Sequence, residues 1–210
     1  MKSVKSFSKW TIEEVEETFH IVLQKHYEPL KAWMTPLMSL SEAETQQLTQ
    51  LQEKLLDHVW DWNEEELKVY FIMPLLDIIN FEQAQYKTFL SRELVMTYQD
   101  EKIACVVDFL VASGKRSPKR PFFFIHEYKK EHGSSDDPLG QLMIAMVTAQ
   151  HLNDDKPPVY GVYVMGQYWH FVVLDEQSIA VHTGLNATND EITTIWNVLK
   201  NTKEIIEKWV

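Results

Sequence analysis

Apolar residues recur at three- and four-residue intervals along the first third of the chain, the spacing that gives a helix one oily face. In "TIEEVEETFHIVLQKHY" they are Ile12, Val15, Phe19 and Val22, with acids at the start, where a helix N-terminus favours them. "SLSEAETQQLTQLQEKLLDHVWDW" repeats the pattern, with Ser41 placed to cap and Leu48, Leu51, Leu55 and Val59 on one stripe. Leu37 and Leu40, near the loop between them, are placed to staple the two helices together. Residues from about 11 to 60 are therefore expected to be helical. A third helix follows in "NEEELKVYFIMPLLDIINF". Asn63 and Glu66 form a capping-box-like start, and Leu67, Phe71, Leu75 and Ile78 form its buried stripe. Pro74 inside that stripe predicts a kink or a division of the helix.

The period changes after Lys87. "RELVMTYQD", "KIACVVDFLVASG" and "PFFFIHEYK" read as three strands, the first two joined around Asp100 and Glu101. "DPLGQLMIAMVTAQHLN" has the length of a helix, with Asp137 or Ser135 as its cap. "VYGVYVMGQYWHFVVLD" reads as a hairpin turning at Gly166-Gln167. "NDEITTIWNVLKNTKEIIEKWV" closes the chain as an amphipathic helix with Ile192, Ile195, Val198 or Leu199, Ile205 and Trp209 inward. Helices packed on a sheet of mixed parallel and antiparallel pairing, an α/β or α+β domain, is the class these elements predict.

Against that pattern a few polar residues stand out. Asp108 interrupts the apolar run "IACVVDFLV", and an unpaired buried carboxylate costs several kcal/mol or becomes protonated. In "FFFIHEYKKEHG" the alternation of strand side chains puts Phe122, Phe124, His126 and Tyr128 on one face and Glu127 and Lys129 on the other. Neighbouring strands lie ~4.8 Å apart, so Asp108 and Glu127 can meet if register permits. Two converging carboxylates call for a cation, and oxygen ligands suit Mg²⁺ or Mn²⁺. A lysine beside them could orient or deprotonate water, or stabilise charge on a phosphate.

Composition narrows the field. With 45% hydrophobic and 12% aromatic residues in 210, a folded core is assured and disorder is not an option. A single cysteine, Cys105, excludes an intrachain disulfide and a thiolate zinc cage, and points to a reducing, cytoplasmic setting. No signal peptide or membrane span is evident, since the longest uncharged stretch is the proline- and glycine-bearing hairpin. The net charge of −11 argues against a general nucleic-acid coat. Between Ser113 and His132, however, six basic residues face two acids. That segment is +4 and the rest of the chain −15, so a basic loop on an acidic body can still reach phosphate.

Taken in order, these residues resemble the PD-(D/E)xK nuclease superfamily. Asp108 in "VVDFLV" and Glu127 and Lys129 in "EYK" match its central motif. Glu64, ten residues before Pro74, matches the glutamate on the preceding helix, with Glu65 and Glu66 as close alternatives. Gln141 in "GQLMIAM" matches the glutamine of the RecB-like branch, which often carries a tyrosine where this chain has Ala145; Val107 stands where the superfamily pattern has proline. The resemblance spans roughly residues 60 to 175. It implies a restriction-endonuclease-like α/β core, a mixed four- to five-stranded sheet flanked by helices, over 63–210. Residues 1–62 would form a helical extension packed on it. It implies metal-dependent hydrolysis of phosphodiester bonds in nucleic acid, DNA first. Asp108 and Glu127 would bind Mg²⁺ (or Mn²⁺), Glu64 would help through a water, Lys129 would assist the attacking water and Gln141 would position it. Lys115, Arg116, Lys119 and Arg120 would reach phosphates from the loop between the second and third strands.

Each residue also has a plainer reading. Asp108 could be satisfied by backbone N–H groups or by Lys129, and Glu127 and Lys129 could be a strand-end ion pair. Gln141 could simply hydrogen-bond on its helix, and the three glutamates could serve a favourable helix start. His126 and His132 invite a metal, but His126 faces away from Glu127 and reads as structural. Trp60, Trp62 and Trp169 read as core. The alternative function is a catalytically silent nuclease fold that binds or assembles, perhaps as a homodimer.

Overall fold

The computed structural model describes residues 5–6, 10–35, 38–129, 137–153 and 158–209; the side chains of Lys5, Ser6, Cys105, Pro121, Phe123, Ile125, Glu127 and Lys129 lie outside that description. Two long strands, β3 (Lys87–Tyr98) and β4 (Glu101–Ser113), open the sheet as an antiparallel hairpin. Its two turn residues, Gln99 and Asp100, have φ of +47° and +63°, and two left-handed residues in a row match the twist of a tight hairpin. Strand β5 (Lys119–Lys129) runs antiparallel to β4. Helix α6 (Pro138–Leu152) then crosses over to β6 (Val159–Met165), which is parallel to β5. The expected second hairpin pairs β6 with β7 (Tyr168–Asp175), and Gly166 takes the left-handed φ of +57° at its turn.

The architecture is mixed α/β, and its sheet is larger than the four to five strands expected. Among the described residues nine strands take part: β8 (Ser178–Val181) and the two-residue strands β1 (Lys5–Ser6), β2 (Val22–Leu23) and β9 (Leu185–Asn186) extend the five long ones. The order is β1-β4-β5-β6-β7-β8-β2, with β3 also on β4 and β9 on β7. Two-residue strands carry no periodicity, which is why the pattern of the chain does not announce them.

Helices cover both faces. On β7, Phe171 and Val173 point into one hydrophobic core and Val172 and Leu174 into the other, as alternation requires. The second core holds α1 (Ile12–Phe19) and α6, which is buried from Gly140 to Ala149. The first core holds α2 (Glu28–Met34), α3 (Glu42–His58), α5 (Met73–Ile79) and α7 (Glu191–Glu207). Residues 28–58 are bound to α7 by Trp33 Nε1 donating to Thr202 Oγ1 (2.9 Å), Asn201 Nδ2 donating to the Trp33 carbonyl (2.9 Å) and the Lys200–Glu44 ion pair (3.2 Å).

Several boundaries differ from those expected. Helix α1 stops at Phe19 because His20 turns left-handed (φ +57°), and Val22, expected on the helical stripe, stands exposed in β2. Helix α2, opened by Pro29, lies within the expected helical span, although it is too short for a periodic signature of its own. Ser41 caps helix α3 as expected, and the cap is a full capping box, with Ser41 Oγ accepting from Glu44 N (3.2 Å) and Glu44 Oε2 from Ser41 N (2.9 Å). Leu48 and Leu55 of its stripe are buried, while Leu40, Leu51 and Val59 pack at the margin of the core; Leu37 lies outside the described residues. Trp62 and Trp169 are core, whereas Trp60 is 70% exposed at the end of α3.

Candidate functional site

The site begins at a helix start. Asn63 Oδ1 accepts from Glu66 N (3.0 Å) and Glu66 Oε2 accepts from Asn63 N (2.8 Å), closing the capping box of α4 (Glu64–Leu67). That bond takes Glu66 out of the competition and leaves Glu64 and Glu65 to face outward. A wide π-turn follows over Lys68–Ile72, in which Met73 N donates five residues back to the Lys68 carbonyl, before α5 begins. Pro74 has no N–H and its ring presses on the carbonyl four residues earlier. The π-turn gives that ring room, so the helical backbone continues through Pro74 where a kink or a division was expected.

Asp108 lies where β4 rolls over. Val107 packs in the α6 core and Phe109 in the α5–α7 core, although strand neighbours two apart normally share a face. On β3, between the pairs Leu90↔Phe109 and Arg92↔Val107, Ser91 has a left-handed φ of +49°. The β4–β5 ladder ends at Phe109↔His126. Beyond it, Asp108 Oδ2 accepts the Tyr128 backbone N–H at 3.1 Å, so the carboxylate is hydrogen-bonded to the Glu127–Tyr128 peptide.

Helix and strand meet at Lys68. Its Nζ lies 3.0 Å from Asp108 Oδ1, 3.1 Å from Glu64 Oε1 and 2.9 Å from Glu65 Oε1, with the ring centre of Tyr128 5.8 Å away. Its side chain is 14% exposed. Burial pulls its pKa down, but the Glu65 hydrogen bond, the charge and hydrogen bond of Asp108 and the Glu64 hydrogen bond together raise it, so it remains an ammonium. Lys68 is the residue that sequence reasoning missed. Its signal was present, since it stands three and four positions after two glutamates, the spacing of helical ion pairs. Asp108 is thus satisfied by a backbone N–H and by Lys68.

The remaining candidates are distributed as follows. Glu127 and Lys129 lie in β5 with their backbones opposite Tyr163 and Met165 of β6, and their side chains are outside the described residues. Gln141 is buried in the first turn of α6, and its Nε2 has no hydrogen-bond partner among the described residues. The crossover places that turn after the C-terminal end of β5, the end that carries Glu127. Asp137, one of the two expected caps, closes α6 by accepting from Gly140 N (2.9 Å); Ser135 and His132 lie outside the described residues. His126 is wholly buried, ringed by Phe109, Phe124, Tyr128 and Trp169 at 4.3–5.9 Å, with neither ring nitrogen hydrogen-bonded among the described residues. Burial holds its pKa well below the ordinary histidine value, and it is a neutral core residue.

The basic loop is not brought to the carboxylates. Lys115, Arg116, Lys119 and Arg120 are exposed around the β4–β5 turn, and Arg120 Nη1 donates to the Leu152 carbonyl (3.3 Å). Five strand residues separate Asp108 from Ser113, about 16 Å at ~3.3 Å per residue. Among the described residues no group of three or more His, Cys, Asp and Glu is arranged to hold a metal ion. The donor chemistry nevertheless fits a hard cation, because Glu64, Glu65 and Asp108 already direct carboxylate oxygens at one positive centre, the Lys68 ammonium.

Among the described residues no helix is long and apolar enough to cross a membrane. Comparison with protein-family models finds no match, and comparison with curated proteins finds none.

Proposed function

We propose that this chain is a metal-dependent nuclease with a restriction-endonuclease-like core, acting on DNA or RNA. One observation carries the reading: Glu64 and Asp108, from a helix start and from a strand, converge on a single positive centre beside the Glu127–Tyr128 peptide. In this reading Asp108 and Glu127 hold Mg²⁺ or Mn²⁺ and Glu64 assists through a water. An ion held there would supply Lewis acidity and lower the pKa of a bound water. Tyr128 N–H fixes the orientation of the Asp108 carboxylate, and Lys68 balances the charge of the carboxylates before substrate arrives. Lys129 takes the proton of the attacking water and Gln141 orients that water. Water adds to phosphorus, the bond from phosphorus to the leaving sugar oxygen breaks, and that oxygen takes a proton from solvent water. The basic loop contacts phosphates a nucleotide or more away from the scissile one.

The Lys68 ammonium also supports a second reading, a nuclease fold that binds without cutting, because it already neutralises Glu64 and Asp108. One assay separates the two. Labelled DNA and RNA, single- and double-stranded, are incubated with Mg²⁺ or Mn²⁺ and the wild type, Asp108→Asn or Glu127→Gln. Cleavage that falls by about a hundredfold or more in variants with unchanged circular dichroism supports catalysis. Cleavage unaltered in Asp108→Asn overturns it, and a wild type that cuts nothing in the panel favours the silent fold.

A further inference from the structure

One residue along from the Lys68–Asp108 pair, the same two elements open into a pocket of about 430 Å³. Val69 follows Lys68 and Phe109 follows Asp108, and both line it. Its floor is Leu76, Phe81 and Phe109, each under 5% exposed, and its walls are Val69 and Leu90. Those two walls are 56% and 48% exposed, so the apolar lining reaches from the buried floor to the surface. The rim carries Asp77 and Glu82. Glu82 Oε1 is occupied by the Thr88 N–H (3.2 Å) and hydroxyl (2.7 Å), whereas the Asp77 carboxylate has no hydrogen bond or ion pair among the described residues.

The nature of the occupant follows from these features together with the nuclease reading, on which this inference rests. Within a nucleotide's reach of a scissile phosphate, a substrate offers another phosphate, a sugar or a base. Two acids at the rim exclude phosphate. An apolar lining suits the flat faces of a base better than the hydroxyl and ether groups of a sugar, and a free carboxylate accepts from an exocyclic amino group. The volume lies within the range of small-molecule sites, roughly 300–1,000 Å³. We propose that this pocket takes one unpaired nucleobase of the substrate strand, with Asp77 favouring amino-bearing bases over thymine, whose single N3–H donor lies between two carbonyls that repel a carboxylate. The substrate class is then single-stranded nucleic acid, or a duplex locally opened at the cut.

The test is equilibrium binding, read by fluorescence anisotropy of labelled dodecamers in EDTA so that no strand is cut. The wild type should bind oligo-dC about fivefold or more tighter than oligo-dT, one hydrogen bond to a charged group, and should bind a duplex dodecamer more weakly than either. Asp77→Asn should bring the dC/dT ratio towards one. Leu90→Asp and Val69→Asp, both at exposed positions, should each weaken binding of both strands about tenfold with an unchanged melting temperature. Equal binding of dC and dT by the wild type, preference for the duplex, or wild-type affinity in both wall variants overturns the proposal. Since no readout requires cleavage, the two claims part cleanly. Cutting that survives Asp108→Asn sinks the catalytic reading and leaves the pocket measurable. Wild-type affinity in both Leu90→Asp and Val69→Asp sinks the pocket alone.

Discussion

Replacing Lys68 by methionine tests the electrostatics of the site directly. The variant keeps the length and most of the packing of the side chain and removes the one charge that Glu64, Glu65 and Asp108 share. Removing one partner of a fully buried ion pair costs about 3–5 kcal/mol, and of an exposed pair about 0–1 kcal/mol. Here Lys68 is 14% exposed, Asp108 23% and Glu64 33%, while Glu65 at 78% adds little. The expected loss lies between the limits, about 2 kcal/mol, or roughly 4–8 °C in melting temperature for a chain of this size. The carboxylates left behind should then accept a divalent cation in place of the ammonium. An ion at a hundred times its Kd returns about 2.7 kcal/mol, so millimolar Mg²⁺ should raise the melting temperature of Lys68→Met well above its effect on the wild type. Thermal unfolding by circular dichroism, with and without Mg²⁺ and with Glu65→Gln as the nearly neutral control, reads both effects. A Lys68→Met protein that melts with the wild type would refute the reasoning about the charge cluster. One that is destabilised but indifferent to Mg²⁺ would refute the cation site.

Other residues carry further expectations. His126 is neutral in the folded protein because burial depresses its pKa, while the unfolded residue titrates near ~6.5. Its contribution to stability is therefore whole above that pH and is lost as pH falls below it, by up to about 1.4 kcal/mol per pH unit. Burial depresses His170 and His182 in the same direction. His126→Phe should flatten the acid limb of a urea-denaturation series, and an unchanged slope would contradict the account. Asn63→Ala should cost about 1 kcal/mol by opening the capping box that frees Glu64 and Glu65, measured by the same unfolding assay. At Gly140 an added Cβ would lie 2.6 Å from the Trp10 carbonyl oxygen and 2.7 Å from Ile12 N, both backbone atoms that cannot swing aside. Gly140→Ala should therefore lose about 1–3 kcal/mol, and a stable variant would mean that the segment entering α1 yields easily.

The long elements were legible because burial imposes its period on them. The α3 stripe, the capping boxes at Ser41 and Asn63, both hairpins and the closing helix follow from residue type and spacing alone. What escaped depends on partners remote in sequence. Strands β1 and β2 exist only because β4 and β8 offer open edges, and Val22 belongs to β2 because His20 turns the chain first. At the site, Asp108 stood out as a carboxylate among valines, and its need for partners was evident. That Lys68 would be one of them required the orientation of a helix forty residues earlier, which no spacing near Asp108 encodes. The basic loop illustrates the converse. Its charge is plain in the sequence, but the length of the hairpin carries it to the other end of the strands.

The π-turn at Lys68–Ile72 has a consequence for how such a chain can change. An α-helix advances about 100° per residue, so the extra residue in that turn sets the angle at which Glu64 and Lys68 meet the strand. Deleting one residue there, with Pro74 replaced, would restore a regular helix and gain the local order the wide turn forgoes. It would also swing Glu64 and Lys68 about a quarter-turn away from Asp108. The wide turn thus exchanges helical regularity for the placement of Glu64 and Lys68 against Asp108.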